Sequence, residues 1–225
     1  VARAAGAVEY DAVPPLFAWY YAYMLDVPLD DPPSSAAFRG PFPEVGAEYS
    51  AAFIFPADGG LTLVGFGVEH AAFGRFRRNV RQSFFSGLRS LPAAWERVGQ
   101  ARLASRVLGT GHLPNFFRTA WGPGWALVGD AGCHKDPHTV QGMGDAVRSA
   151  RLLATALDRW WRGQASEEES LSWYQHERDI DLRPMYDFTT FRLQAQVGDE
   201  IWDRFNRLTG EDEGLACRRV AAMTH

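Results

Sequence analysis

The run from Leu16 to Met24, Leu-Phe-Ala-Trp-Tyr-Tyr-Ala-Tyr-Met, places aromatic rings two residues apart at Phe17, Trp19, Tyr21 and Tyr23. A strand turns alternate side chains to opposite faces, and aromatic residues favour strands, so this spacing predicts a sheet with one almost wholly aromatic face. Two readings of that face stand: a packed sheet surface, or a wall of an aromatic substrate pocket. Further along, Ala51 to Phe55 and Leu61 to Val68 flank Pro56-Ala57-Asp58-Gly59-Gly60, a β-hairpin signal that makes the expected sheet antiparallel. The prolines and scattered charges of residues 26–48 predict loop or edge structure.

Helical patterning runs from Ala71 to Val98 and carries Arg75, Arg77, Arg78 and Arg81. Such a basic surface is either simply solvated or a docking place for the phosphates of a reduced pyridine nucleotide, which forked arginine donors suit. A strand is expected over Arg102 to Leu108, then a loop through His112 to Asn115. The segment Gly124-Trp-Ala-Leu-Val-Gly-Asp130 reads as a short buried strand ending in a turn. Ala146, Ala150, Leu153, Leu157 and Trp160, spaced by fours and threes, predict the buried stripe of an amphipathic helix. Ser166 before Glu167, Glu168 and Glu169 is an N-cap with an acidic first turn, opening a helix that Pro184 is expected to kink or interrupt. A last helix is expected over residues 197–209.

A chain of 225 residues with 46% apolar content is long enough to bury a core in one large or two small domains. Its net charge of −4 gives no broad basic field, so neither nucleic acid nor an anionic membrane is an expected partner. No apolar run is long enough to span a bilayer. Only Cys133 and Cys217 are present, and no leader is apparent, which makes a reducing cytoplasm the expected compartment. The opening Val1-Ala-Arg-Ala-Ala-Gly6 reads like the end of a helix stopped by glycine, as if the chain began inside a domain.

The segment from Trp125 to Ala146 combines that short strand, an acidic residue at its carboxyl end, and a glycine-bearing loop entering a helix. Asp130 can accept hydrogen bonds from a ribityl or ribose hydroxyl, while N–H groups at the start of a helix near Gln141 can face negative charge. On residue chemistry alone the same pattern is also a structural turn.

This stretch resembles the second flavin fingerprint of the aromatic-hydroxylase flavoproteins, the para-hydroxybenzoate hydroxylase superfamily: Gly-Asp-Ala, then a proline, then Gly-Gln-Gly leading into a helix. The matching positions are Gly129, Asp130 and Ala131, then Pro137, then Gln141 and Gly142. The resemblance implies that Asp130 binds the ribityl chain of FAD, that Pro137 lies beside the isoalloxazine ring, and that Gln141 to Met143 present backbone to its pyrimidine edge. It further implies that NAD(P)H reduces the flavin and that oxygen chemistry on a small organic substrate follows, with halogenase and reductase relatives as alternatives. The sequence departs from the pattern at Val140, where the family has the first glycine of Gly-Gln-Gly, and at Gly144, Ala146 and Ser149, where it has asparagine, glycine and aspartate. No Gly-x-Gly-x-x-Gly cradle for the ADP half is present. The expectation is therefore a carboxy-terminal part whose amino-terminal FAD-binding segment lies elsewhere, or else a non-catalytic accessory domain.

Cys133, His134, Asp136 and His138 are metal-ligand types, but Pro137 prevents regular helical pairing and no second cluster appears, so no metal is expected. Cys133 beside His134 is a poor nucleophile candidate, because catalytic partners meet through the fold. His134 or Lys135 points toward the flavin or substrate, or else lies in an exposed polar loop. His70, His112, His176 and His225 show no shared spacing. The predicted fold is mixed α/β (α+β). Residues 1–110 form a substrate-side antiparallel sheet with a helical insertion, 111–165 a flavin-contacting strand, loop and helix, and 166–225 a helical end. Trp19, Tyr21, Phe53, Phe55 and Phe66 are the candidate substrate-pocket residues; no catalytic residue is assigned.

Overall fold

The computed structural model describes residues 2–31 and 33–195. In chain order its elements are β1 (Glu9–Val13), β2 (Phe17–Leu25), β3 (Ala36–Phe42), β4 (Ala47–Pro56), β5 (Thr62–Glu69), α1 (His70–Phe76), α2 (Val80–Ser90), α3 (Pro92–Val98), β6 (Arg102–Leu103), β7 (Leu108–Thr110), β8 (Asn115–Arg118), β9 (Trp121–Gly122), β10 (Trp125–Ala126), β11 (Cys133–His134), α4 (Gly142–Trp161) and α5 (Glu167–Ala195). Antiparallel sheets with helices make the mixed α/β fold expected of the sequence. The described chain forms two compact units rather than three segments: Pro15–Leu113, and the residues up to Pro14 together with Pro114 onward. The opening residues join the second unit because β1 pairs with β8, Tyr10 opposite Phe117.

The first unit is built on a sheet of order β3-β4-β5-β2-β6, with β7 also on β2. Register places Tyr20 opposite Phe66 and Phe66 opposite Ala52, and that face carries Ala18, Ala22, Met24, Ile54, Val64 and Val68 into a core with Phe76, Phe84, Leu88, Ala94 and Val98 of the three helices. Phe66 stacks on Phe76 and meets Phe42 edge-on at a centroid distance of 5.6 Å. Its ring fills a notch on α2, where a Cβ on Gly87 would come within 2.3 Å of it. The edge strand β3 carries Pro41 where its pairing shifts register, the place a residue without an N–H is tolerated.

The strand expected over Arg102–Leu108 is broken into β6 and β7. Between them the Ser105 hydroxyl accepts the Tyr23 N–H at 2.9 Å, replacing a ladder bond with a side chain. The buried strand expected over Gly124–Asp130 is likewise reduced to the two-residue β10, paired only with β9. Leu127 is fixed instead by its N–H to the Ala120 carbonyl at 2.7 Å and by the Tyr174 hydroxyl, which donates to its carbonyl at 2.5 Å.

The second unit holds the sheet β1-β8-β11, and α4 packs on α5. Ser166 and Glu169 cap α5 reciprocally: the Glu169 N–H donates to Ser166 Oγ at 3.2 Å, and the Ser166 N–H to Glu169 Oε2 at 2.9 Å. Pro184 does not interrupt α5, which runs unbroken past it. Leu182 and Tyr186 on either side are anchored in a small core with Phe117 and Cys133, so packing outweighs the one lost helical hydrogen bond. Only part of the stripe expected to bury α4 does so: Ala146 and Leu153 are half-buried, Leu153 packing on the core of Ala120, Ala156 and Tyr174, while Ala150, Leu157 and Trp160 are exposed. The fully buried positions of α4 are Asp145, Ser149 and Ala156, with Leu152 and Leu153 half-buried beside Ala156. The helix expected over residues 197–209 lies outside the described residues. Among the described residues no helix is long and apolar enough to cross a membrane.

Candidate functional site

The chain turns sharply after Val128, and Gly129 sits at φ +54°. Glycine is demanded there twice, by the left-handed backbone and by α4, since a Cβ would lie 3.0 Å from that of Ala146. The Gly129 N–H donates to Ser149 Oγ at 3.0 Å, so the turn is hung on the inward face of α4. Ala146 and Ser149, two departures from the family pattern, thus provide the close approach and the acceptor. The loop then returns to the start of the same helix, because a Cβ on Gly142 would stand 3.9 Å from Asp130 Oδ1. Both ends of the fingerprint therefore meet at one place.

What they present there is open. Asp130 is exposed, and among the described residues its carboxylate accepts no hydrogen bond. Gln141 is the N-cap of α4 but makes no side-chain cap, and the first-turn residues Gly142, Met143 and Gly144 are exposed, Met143 to 82%. Uncapped N–H groups at the start of a 20-residue helix carry partial positive charge. Ala131 and Pro137 are also exposed, Gln141 is half-buried and Gly129 is buried. Val140 is left-handed at φ +58°, ψ 28°, a conformation that favours glycine.

Several ties hold the intervening loop. The buried Asn115 accepts the Asp136 N–H at 2.7 Å and donates to the Pro14 carbonyl at 3.3 Å. His134 Nδ1 meets the Pro114 carbonyl at 2.5 Å, and its ring stacks on Phe116. Thr139 and Thr189 share a hydroxyl contact at 3.0 Å. Arg178, 1% exposed, donates to the carbonyls of Gly132 at 3.4 Å and Arg118 at 2.9 Å, and pairs with Asp179 at 2.6 Å.

Lys135 does not lie in an exposed polar loop. It is buried against Asp145 in the first turn of α4. Cys133 is buried too, and burial pushes its thiol up to about 11, which makes it inert as a nucleophile. Among the described residues no cluster of three or more His, Cys, Asp or Glu is placed to hold a metal.

On the face of the other unit's sheet opposite its core, β2, β4 and β5 bring Trp19, Tyr21, Phe53 and Phe55 together, Tyr21 exposed and the other three half-buried. Trp19 lies opposite Gly67, Tyr21 and Phe53 opposite Gly65, and Phe55 opposite Leu63. Cβ atoms on Gly65 and Gly67 would come within 2.0 Å of the Phe53 ring and 2.6 Å of the Trp19 ring, so both rings lie flat over the central strand. Phe53 stacks on Phe55 at 4.6 Å and neighbours Trp19 at 5.8 Å. Phe66 is not part of this surface, because its position in the register turns it into the core. Arg75, Arg77, Arg78 and Arg81 are all exposed. Arg81 joins Ser105 and Arg106 in lining an open groove of about 600 Å³.

Sequence reasoning missed Ser149, Asn115 and the Lys135–Asp145 pair. Gly65 and Gly67 did carry a legible signal: glycines two apart in a strand mark one face approached closely from above.

No protein-family model matches the chain, and no curated protein matches it. Solved structures do. The flavin-dependent brominase Bmp2 aligns with a TM-score of 0.78 at 15% identity, over 96% of this chain and 53% of its own. CmlS, a flavin-dependent halogenase, aligns at 0.66 and 23% identity, over 82% of this chain and 33% of its own. PqsL from Pseudomonas aeruginosa, a probable FAD-dependent monooxygenase, aligns at 0.59 and 20% identity, over 84% of this chain and 50% of its own. At such identities the likeness is one of fold: the chain has the fold of FAD-dependent halogenases and monooxygenases, a flavin-dependent enzyme fold. It spans about a third to a half of the length of these proteins.

Proposed function

We propose that this chain is the flavin- and substrate-facing part of an FAD-dependent monooxygenase that draws electrons from NAD(P)H and acts on a small organic substrate, aromatic compounds being the first class to try. The observation that carries the reading is the open cradle of Asp130 beside the uncapped start of α4. Its donor set fits a flavin. The Asp130 carboxylate would accept from ribityl hydroxyls, and the N–H groups of Gly142 to Gly144 would face the pyrimidine edge, where charge gathers on reduction. Ala131, Pro137 and Gln141 would border the ring. Bound FAD would supply the redox chemistry, accepting hydride equivalents and activating oxygen.

Trp19, Tyr21, Phe53 and Phe55 would offer an aromatic substrate a flat apolar wall. The exposed arginines, with the groove at Arg81 and Arg106, suit nucleotide phosphates. The ADP half of FAD requires a glycine-rich turn that this sequence lacks, so the proposal includes a further polypeptide segment that supplies one. Halogenation is the second reading, favoured by the closer fit to the brominase Bmp2 than to PqsL.

The test is a titration of the 225-residue chain with FAD, followed by flavin fluorescence and the visible absorbance band. Saturable quenching is expected, weakened at least about tenfold in Asp130→Ala, the loss of one or two hydrogen bonds to a charged group. No spectral change with FAD, nor with FMN, which has no ADP half to be held, would overturn the reading. Given binding, NAD(P)H oxidation that needs a halide would select the halogenase over the monooxygenase.

A further inference from the structure

Beneath the open start of α4 lies a charged group that the flavin reading does not use. Lys135 is 8% exposed and Asp145 5%, and the Lys135 ammonium meets Asp145 Oδ2. The other carboxylate oxygen accepts from Arg148 at 2.8 Å, and Arg148 Nε lies 3.1 Å from Asp181 Oδ2 on α5. Charges thus alternate along Lys135, Asp145, Arg148 and Asp181. A buried ion pair is a weak source of stability, because desolvation offsets much of its attraction, and well-packed apolar residues hold a loop as well or better. Holding the loop therefore does not explain why ionised groups stand here.

Their position does. Asp145 is in the first turn of α4, the turn whose N–H groups are exposed, and a buried charge is screened less than a surface one. Burial is the main influence lowering the pKa of Lys135; Cys133 raises it, Arg148 lowers it further and Asp130 raises it, so the ammonium lies within the field of the exposed Asp130 carboxylate. A flavin that takes up two electrons and one proton gains one negative charge. The charge balance under the helix start then bears on the reduced form more than on the oxidised one.

We propose that Lys135 and its counter-ion Asp145 are electrostatic positioning residues that set how strongly the site favours reduced over oxidised flavin. This rests on the reading of Asp130 and the start of α4 as a flavin site. The two substitutions Lys135→Met and Asp145→Asn both break the buried pair, so a purely structural role shifts both variants the same way. A role through charge shifts them oppositely.

The experiment measures the affinity of the 225-residue chain for oxidised and for reduced FAD, by anaerobic reductive titration against a dye of known potential. Lys135→Met is expected to cut the preference for reduced FAD about tenfold, the scale of one unit charge at an effective dielectric near 20. For a two-electron couple that is a fall of about 30 mV. Asp145→Asn is expected to raise the preference by a similar factor, while the charge-neutral double variant and Lys135→Arg stay near the parent value. Should Lys135→Met not fold, Asp145→Asn against the double variant makes the same comparison. Shifts of one sign in both single variants, or none, would overturn the inference with the flavin site intact. A parent chain that binds neither FAD nor FMN would instead overturn the reading beneath it.

Discussion

The two units are held together by different kinds of force. In the sheet unit, Phe66 sits among Phe42, Phe76 and the notch at Gly87, and the aromatic rings of the other face lie over Gly65 and Gly67. Volume decides whether these residues fit. In the loop unit, the cores are small and the fingerprint is held by Asn115, Ser149 and Arg178, whose contribution is a donor or acceptor at a given point. A region held by packing tolerates exchange among apolar residues of equal size. One held by polar ties does not, because a removed partner leaves a buried group unsatisfied.

Substitutions matched in size put this contrast to work. Phe66→Ala is expected to cost about 4 kcal/mol by urea denaturation, since it empties a ring-sized space in the core, whereas Phe66→Leu should cost less than half of that. Arg178→Met keeps the length of the side chain but removes donors to the Arg118 and Gly132 carbonyls and to Asp179. It is expected to cost about 3 kcal/mol. If Arg178→Met proves as mild as Phe66→Leu, the loop unit is held by packing after all and the contrast fails.

Asn115→Ala sharpens the comparison on a neutral group. It leaves the Asp136 N–H, next to Pro137, without its acceptor in a buried place, at a cost of about 2 kcal/mol. Asn115→Leu should be no better, because a leucine fills the space but accepts nothing. Thermal unfolding of the two variants side by side distinguishes a space from an acceptor.

The same contrast explains what could be read from the sequence. Periodicity reports packing, so the aromatic alternation of Phe17 to Tyr23 and the hairpin around Asp58-Gly59-Gly60 were legible in advance. Parity across strands was not: Phe66 was grouped with Trp19 and Phe53, and only the register with Tyr20 and Ala52 turns it inward. Periodicity served α4 only in part: Leu153 packs inward as its spacing predicts, but the fully buried positions near the helix start are Asp145 and Ser149, whose polar ties leave no hydrophobic repeat. The fingerprint was found by resemblance, and the groups that hold it, Asn115 twenty-one residues before Asp136 and Ser149 twenty after Gly129, carry no local signal. Pro184 misled for the reverse reason: a local helix-breaking rule yields where Leu182 and Tyr186 are packed on both sides.

Val140 offers the smallest expected effect, and one of opposite sign. Left-handed backbone costs a non-glycine residue about 1–2 kcal/mol, and valine, branched at Cβ, suits it poorly. Glycine would remove that cost but lose about 0.5–1 kcal/mol to the greater freedom of the unfolded chain. Val140 is 58% exposed, so little buried area is lost with its side chain. Val140→Gly should therefore gain at most about 1.5 kcal/mol, where Arg178→Met and Asn115→Ala lose stability. Should the variant instead be destabilised, the valine side chain contributes packing that the loop needs, and volume would count in the loop unit as it does in the sheet. Should it be stabilised while flavin affinity falls, the strain at Val140 belongs to the shape of the cradle rather than to the stability of the fold.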